Sequence, residues 1–319
     1  MQDIKVSDHL ELFYDCIDES NNILYEVLHK NYFELIELTV ENILNSDVVC
    51  DVDEEATEKL NKIYDKIVDI DFTVEDVRKA MQAIILKGFK EMGIPNGNTT
   101  PDSLGILTAY LITKLTEQKH IHILDPLCGT GNLLHTILNH LDKECNAFAC
   151  DHDLWSTKLT KMVSDLLNIP VEVYLQNCLN LKMKELDFIV FDMPHSIKEE
   201  NKPYFPYESI LHFSKMLKDD GCIIGIVGHD FFNYDKNQEF KKELLKECSI
   251  IGLIELPDSL FVSNPKVMVV IQKRVIQDRK NCFMVKLPSF TDVKAFNTSL
   301  IEIEAWFEKN KKNKSEENK

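Results

Sequence analysis

The stretch from Ile121 to Leu134 constrains this chain more than any other. An apolar run through Ile121, Ile123 and Leu124 ends at Asp125-Pro126. A tight loop, Cys128-Gly129-Thr130-Gly131-Asn132, follows, and a helical pattern opens at Leu133. Strand, glycine turn and helix in that order form the first unit of an open α/β sheet, where ligands bind beyond the carboxyl ends of the strands. Two glycines one residue apart let the backbone approach a ligand that a Cβ would obstruct. No Gly-Lys-Ser/Thr follows, so the loop is not a P-loop, and no third glycine stands where a dinucleotide fingerprint needs it. A nicotinamide-dependent oxidoreductase is set aside on that spacing.

The rest of the chain fits such a sheet. From Thr100 onward, strands and helices alternate, which calls for a mainly parallel sheet with helices on both faces. Strands are expected at 121–125, 146–150, 171–175, 188–191, 222–227, 250–256 and 266–272, with an edge pairing at 283–287. Helices are expected near 132–142, 154–168, 206–218 and 236–247. Thr100-Pro101 reads as N-cap and first helical residue of a further helix. Upstream, residues 1 to about 92 carry apolar residues at helical spacing, such as Leu10, Phe13 and Ile17. Thr73 with Asp76 three residues on forms a capping box. The acidic DVDEEAT (51–57) reads as a solvated loop, GIPNGNTT (93–100) as a linker, and the terminal KNKKNKSEENK as a disordered tail. Three units result: a helical accessory domain over 1–94, the sheet domain over 95–290, and a C-terminal helix with a disordered charged tail over 291–319.

Charge and cysteine content narrow the setting. The net charge of −17 is uneven, because residues 1–60 hold 16 acidic and only 3 basic side chains. A nucleic-acid binder usually shows a basic face, so the whole-chain charge argues against one, although the acidity is concentrated ahead of the sheet. The nine cysteines are scattered and form no CxxC pair, so disulfides and a zinc site are not expected, and the compartment is read as the cytoplasm. No apolar run reaches the roughly 18 residues of a membrane span, and the N-terminus has no signal-peptide pattern.

An acid closing the second strand about twenty positions after the glycine loop suits a ribose, whose two hydroxyls call for a bidentate acceptor. Asp151 stands there, followed by His152 and Asp153; the competing reading is an acidic helix N-terminus. Asn177, with Cys178 behind it, closes the third strand and could bond an adenine edge. Asp192-Met193-Pro194-His195 closes the fourth.

As a block, Asp125-Pro126-x-Cys128-Gly129-Thr130-Gly131-Asn132-Leu-Leu resembles the S-adenosylmethionine loop of class I methyltransferases, most closely that of the adenine-N6 DNA methylases. The resemblance implies a Rossmann-like class I methyltransferase sheet preceded by an all-helical N-terminal domain. It covers about residues 95–275 and is closest to the modification subunit of type I restriction systems and its stand-alone YtxK-like relatives. Leu217–Gly221, Val227–Phe232 and Ile254–Phe261 resemble later segments of those proteins. The implied cofactor is S-adenosylmethionine, held by Thr100, Asp125, Pro126, Cys128, Gly129, Thr130, Gly131, Asn132, Asp151, His152, Asn177, Cys178 and Asp192, with no metal. In the family the fourth-strand loop is Asn or Asp, two prolines and an aromatic residue. Here Asp192 and Pro194 match, Met193 replaces the first proline and His195 the aromatic one.

The chemistry accounts for those types. An exocyclic amine is a poor nucleophile. A side-chain oxygen and a rigid backbone carbonyl that accept its hydrogens aim its lone pair at the methyl group, while the aromatic residue stacks on the flipped base. Asp192, Pro194 and His195 are therefore the expected catalytic set. The expected partner is DNA, through a specificity partner or the helical domain, because no target-recognition domain is evident. Methylation of an RNA base or a protein amide, and a cofactor-binding scaffold without turnover, remain open alternatives. Lys266, Lys273, Arg274, Arg279 and Lys280 are read as solvated charges, with phosphate contact as the alternative.

Overall fold

The alternating pattern becomes one eight-stranded sheet in the computed structural model, which describes residues 8–95, 99–196, 203–235, 238–261, 264–275 and 282–317. The strands are β1 (His120–Asp125), β2 (Glu144–Asp151), β3 (Val171–Leu175), β4 (Leu186–Asp192), β5 (Leu217–Gly228), β6 (Ser249–Glu255), β7 (Lys266–Gln272) and β8 (Phe283–Lys286). Their order is β3-β2-β1-β4-β5-β7-β6-β8. The first five run parallel. β7 lies antiparallel between β5 and β6, and β8 adds a parallel edge to β6. Strand order reverses beside β1, which has β2 on one side and β4 on the other, so a crevice opens there at the carboxyl ends. β4 is buried from Leu186 through Phe191, the near-continuous apolar run of a strand covered on both faces.

Helices α5 (Asp102–Leu115), α6 (Asn132–His140) and α10 (Val293–Glu317) cover one face, where Leu111, Ile137 and Phe307 share a core with Ile123, Val190 and Val270. On the other, α8 (Phe205–Ser214) and α9 (Glu239–Leu244) bring Ile210, Phe213 and Leu244 against Ile189, Phe191 and Ile271. The N-terminal domain comprises α1 (Asp8–Leu28), α2 (Tyr32–Asn45), α3 (Glu54–Tyr64) and α4 (Val74–Glu91). It is not a detached accessory, because Phe33, Ile36 and Ile84 form one core with Leu159 and Val163 of α7 (Leu154–Leu166). Lys158 of α7 also donates to both carboxylate oxygens of Glu37 at 2.7 Å.

The capping box stands as expected: Thr73 Oγ1 accepts from Asp76 N–H at 3.1 Å and Asp76 Oδ2 from Thr73 N–H at 3.2 Å. Three expectations change. The acidic stretch 51–57 is only half a loop, because Asp53 caps α3, its carboxylate accepting from Ala56 N–H at 2.8 Å. Thr100 is not a cap: Pro101 takes that position, α5 begins at Asp102, and the threonine hydroxyl is used elsewhere. The tail is helical through Glu317, since lysine and glutamate are good helix formers and neither glycine nor proline interrupts them. Part of the 93–100 linker, and Arg279 and Lys280, lie outside the described residues. No helix among the described residues is long and apolar enough to cross a membrane.

Candidate active site

The sheet delivers three acids to its crevice. Asp125, at the end of β1, is fully buried. Its Oδ1 accepts from Leu127 N–H at 3.1 Å, whereas Oδ2 has no hydrogen-bond partner among the described residues. Burial pushes this carboxyl well above the usual range; the Leu127 N–H opposes the rise, and nearby Asp151 and Asp192 add to it. A buried, half-satisfied carboxyl is costly to leave so, and it suits a ligand that brings a donor or a positive charge.

Asp151, at the end of β2, braces the glycine turn. Its Oδ2 accepts from Gly129 N–H at 3.0 Å and its Oδ1 from Asp153 N–H at 2.9 Å. Each carboxylate oxygen has a second lone pair, so Oδ2 can hold the loop and still meet a hydroxyl. His152 is mostly exposed, with Nδ1 3.2 Å from Asp151 Oδ1. Pro126, Cys128 and Thr130 are buried in the turn, and Cys128 N–H ties it to β2 through Cys150 O at 3.0 Å. Asn177 is exposed and uses Oδ1 to accept from Leu179 N–H at 2.9 Å, with Cys178 buried behind it.

The two glycines of the turn share a left-handed backbone. Both have positive φ, 52° at Gly129 and 79° at Gly131. A Cβ on Gly131 would stand 2.6 Å from His135 Cε1 and 3.0 Å from Thr160 Cγ2, so the missing side chain there makes room for packing, not for a ligand. His135 is fully buried with Nε2 2.8 Å from Ser164 Oγ, and burial, then the positive charge of Arg78, lowers its pKa to about 3. The unfolded chain takes up that proton near pH 6.5, so it binds more protons than the folded state between the two values. Stability from this residue is full above about pH 6.5 and falls as pH drops toward 3, by about 2 kcal/mol at pH 5. Urea unfolding at pH 7 and pH 5 should show that loss in the parent chain and a shallower one in His135→Gln; parallel losses would refute the assignment.

Asp192, at the end of β4, has both oxygens engaged. Oδ2 accepts from Thr100 Oγ1 at 2.9 Å, which is where the threonine hydroxyl goes instead of capping α5. Oδ1 accepts from Lys266 Nζ at 2.5 Å, and the same ammonium reaches Met193 O at 3.4 Å. Lys266 is thus not a solvated charge: its side chain is 12% exposed and lies over the Phe261 ring. Beside the pair is a cavity of about 270 Å³ whose walls include Pro194, His195, Tyr204, His229 and Lys266. An apolar cavity of about 150 Å³ holds a benzene ring, so this one is large enough by volume for a ring system of purine size. Pro194 and His195 are exposed at its mouth, while Tyr204 is buried and packs on Tyr234 at 4.6 Å between centroids. Tyr204 puts an aromatic ring among the residues lining this cavity, which only the run Tyr204-Phe205-Pro206-Tyr207 could have signalled.

Arg78 of α4 was also missed. Among the described residues it is the largest side chain buried to this degree, and it donates to Glu75 at 2.8 Å, to Asp102 at 2.8 and 3.1 Å, and to Asn132 and Thr136 at 3.1 Å. Asn132, predicted as a cofactor residue, in turn donates to Thr100 O at 2.7 Å and Asp102 Oδ1 at 3.0 Å. Burial alone would raise the Asp102 carboxyl, but the bonds from Arg78 and Asn132 outweigh it and hold it below the usual range. The helical domain therefore sets the position of Thr100 and the start of α6.

Sheet order, glycine turn and the acids closing β1, β2 and β4 define the fold of a class I S-adenosylmethionine-dependent methyltransferase. Residues 85–316 match the N-6 DNA Methylase family and residues 11–89 the YtxK N-terminal helical domain. The chain belongs to the N-6 DNA Methylase family. It is 27% identical to the Bacillus subtilis protein YtxK across 95% of this chain and 99% of that one. It is 22% identical to the type I restriction enzyme EcoEI methylase subunit of Escherichia coli, across 63% of this chain and 47% of that one. A Listeria monocytogenes protein inferred to be a class I S-adenosylmethionine-dependent methyltransferase superposes with a TM-score of 0.84 at 28% identity, covering 94% of this chain and 99% of that one.

The family implies S-adenosylmethionine, and the crevice suits it. The cofactor carries a sulfonium, an ammonium and a ribose; the crevice offers Asp125, one of whose buried oxygens has no partner among the described residues, and Asp151, beside a turn with positive φ at both glycines.

Proposed function

We propose that this chain is an S-adenosylmethionine-dependent N-methyltransferase acting on the N6 amine of adenine in DNA. The observation that carries this is the placement of two acceptors, Asp192 Oδ1 and Met193 O, within reach of one nitrogen at the mouth of a purine-sized cavity. The cofactor would supply an electrophilic methyl group. Asp125 would meet its ammonium, Asp151 its ribose and Asn177 its adenine edge. Asp192 and the Met193 carbonyl would accept the hydrogens of the acceptor amine and so orient its lone pair, with Pro194 holding the loop and His195 and Tyr204 flanking the base. Contact with DNA, and any specificity partner, belong to the same proposal.

Calorimetric titration of S-adenosylmethionine, followed by labelled-methyl transfer to DNA, RNA and protein, tests it. Asp151→Ala should weaken cofactor binding by about tenfold or more, the loss expected for charge-assisted bonds to the ribose. Unchanged binding would remove Asp151 from the pocket, and transfer to protein or RNA in place of DNA would change the acceptor. The Asp192–Lys266 ion pair favours a second reading, a cofactor-binding scaffold without turnover; cofactor binding with no transfer to any acceptor would support it.

A further inference from the structure

Lys266 stands where the acceptor amine is proposed to bind. Its Nζ donates to Asp192 Oδ1 at 2.5 Å and approaches Met193 O at 3.4 Å, the same two acceptors that orient an amine in the proposal above, on which this inference rests. The place is built. Lys266 opens β7 opposite Gly228 of β5, its ammonium lies 5.0 Å from the Phe261 ring centroid, and it and Asp192 are only 12% and 15% exposed. An ammonium has no lone pair, so it fills the position of a nucleophile without being one.

We infer that Lys266 is an internal plug of the amine position and that a phosphate on the acceptor releases it, which makes the site selective for nucleotides over nucleosides. A neutral aromatic amine cannot replace the charge attraction that Asp192 gives the ammonium. A phosphate next to the target base can, because the flexible four-carbon stem lets the ammonium swing from carboxylate to phosphate. Asp192 Oδ1 and Met193 O are then free for the amine. Lys266 acts through this exchange and is a specificity-determining residue, whereas Thr100 keeps Asp192 in place throughout by its bond to Oδ2.

The test is binding of 2′-deoxyadenosine and of its 3′- and 5′-monophosphates in the presence of S-adenosylhomocysteine, in the full chain and in Lys266→Ala. Lys266→Thr serves as a second variant that retains strand preference at the start of β7. A far-ultraviolet circular dichroism spectrum matching the parent's confirms an intact fold in both variants. The parent chain should favour a monophosphate over the nucleoside by about tenfold or more, the effect of one charge-assisted bond. The variants should bind the nucleoside about tenfold more tightly than the parent does and lose the preference. Nucleoside affinity unaltered by the substitutions, including no binding by any form, or a parent chain indifferent to phosphate, overturns the inference. Methyl transfer is scored separately. The expected binding pattern with no transfer from labelled S-adenosylmethionine would sink the adenine methylase reading while leaving the plug standing.

Discussion

Replacing Arg78 by methionine should lower the unfolding free energy by about 3 kcal/mol, the low end for breaking a buried ion pair. The guanidinium is 1% exposed, so its carboxylate partners lose a fixed counter-charge inside the protein. Glu75 and Asp102 remain 34% and 24% exposed, and Gln82 still donates to Asp102 at 3.0 Å, which keeps the cost from the upper end of that range. Lysine should not rescue, because one ammonium cannot make the forked contacts to Glu75, Asp102, Asn132 and Thr136 together. The effect should also reach the crevice, since Asn132 holds Thr100 O and Thr100 holds Asp192. Urea unfolding of Arg78→Met and Arg78→Lys measures the first effect and cofactor titration the second. A loss below about 1 kcal/mol would mean that the network is replaceable by water.

Asp192→Ala should slow methyl transfer by about 100- to 1,000-fold, the usual cost of deleting one preorganised polar group at a reacting centre. Cofactor affinity should change much less, because Asp125, Asp151 and the glycine turn are untouched. Alanine leaves Lys266 without its carboxylate and Thr100 Oγ1 without its acceptor, so the proposed amine position would lose both its orienting oxygen and its order. Asparagine should keep transfer within about tenfold of the parent, since its carbonyl oxygen can still accept while the full charge is gone. Single-turnover transfer of labelled methyl separates the two. Equal rates for Asp192→Ala and the parent chain would remove Asp192 from the chemistry.

Much of this site was legible in one dimension because its parts close successive strands. Asp125, Asp151, Asn177 and Asp192 each follow an apolar run, and parallel strands joined by right-handed crossovers carry such residues to one edge of the sheet. The glycine turn was readable for the same reason: strand, tight turn and helix are local, and positive φ at Gly129 and Gly131 is a local demand. What Gly131 makes room for was not, since His135 and Thr160 meet over it only once α6 and α7 have packed. Thr100 shows the same division. Thr-Pro before a helix is a cap by local rules, yet a carboxylate 92 residues away takes its hydroxyl.

The sequence by itself determined the alternation of strands and helices and the acids that close the strands, because periodicity and turn chemistry act over a few residues; the strand order, with its switch point beside β1, came from the fold. Only the tertiary structure decided how charge is disposed. A lysine opening a strand and an arginine on a helix look solvated in a string of letters. Lys266 lies against Asp192, 74 residues away, and Arg78 against Asp102 and Asn132, 24 and 54 residues away. Burial makes an unpaired charge costly, so partners that no local pattern can name were selected by the packing of whole elements.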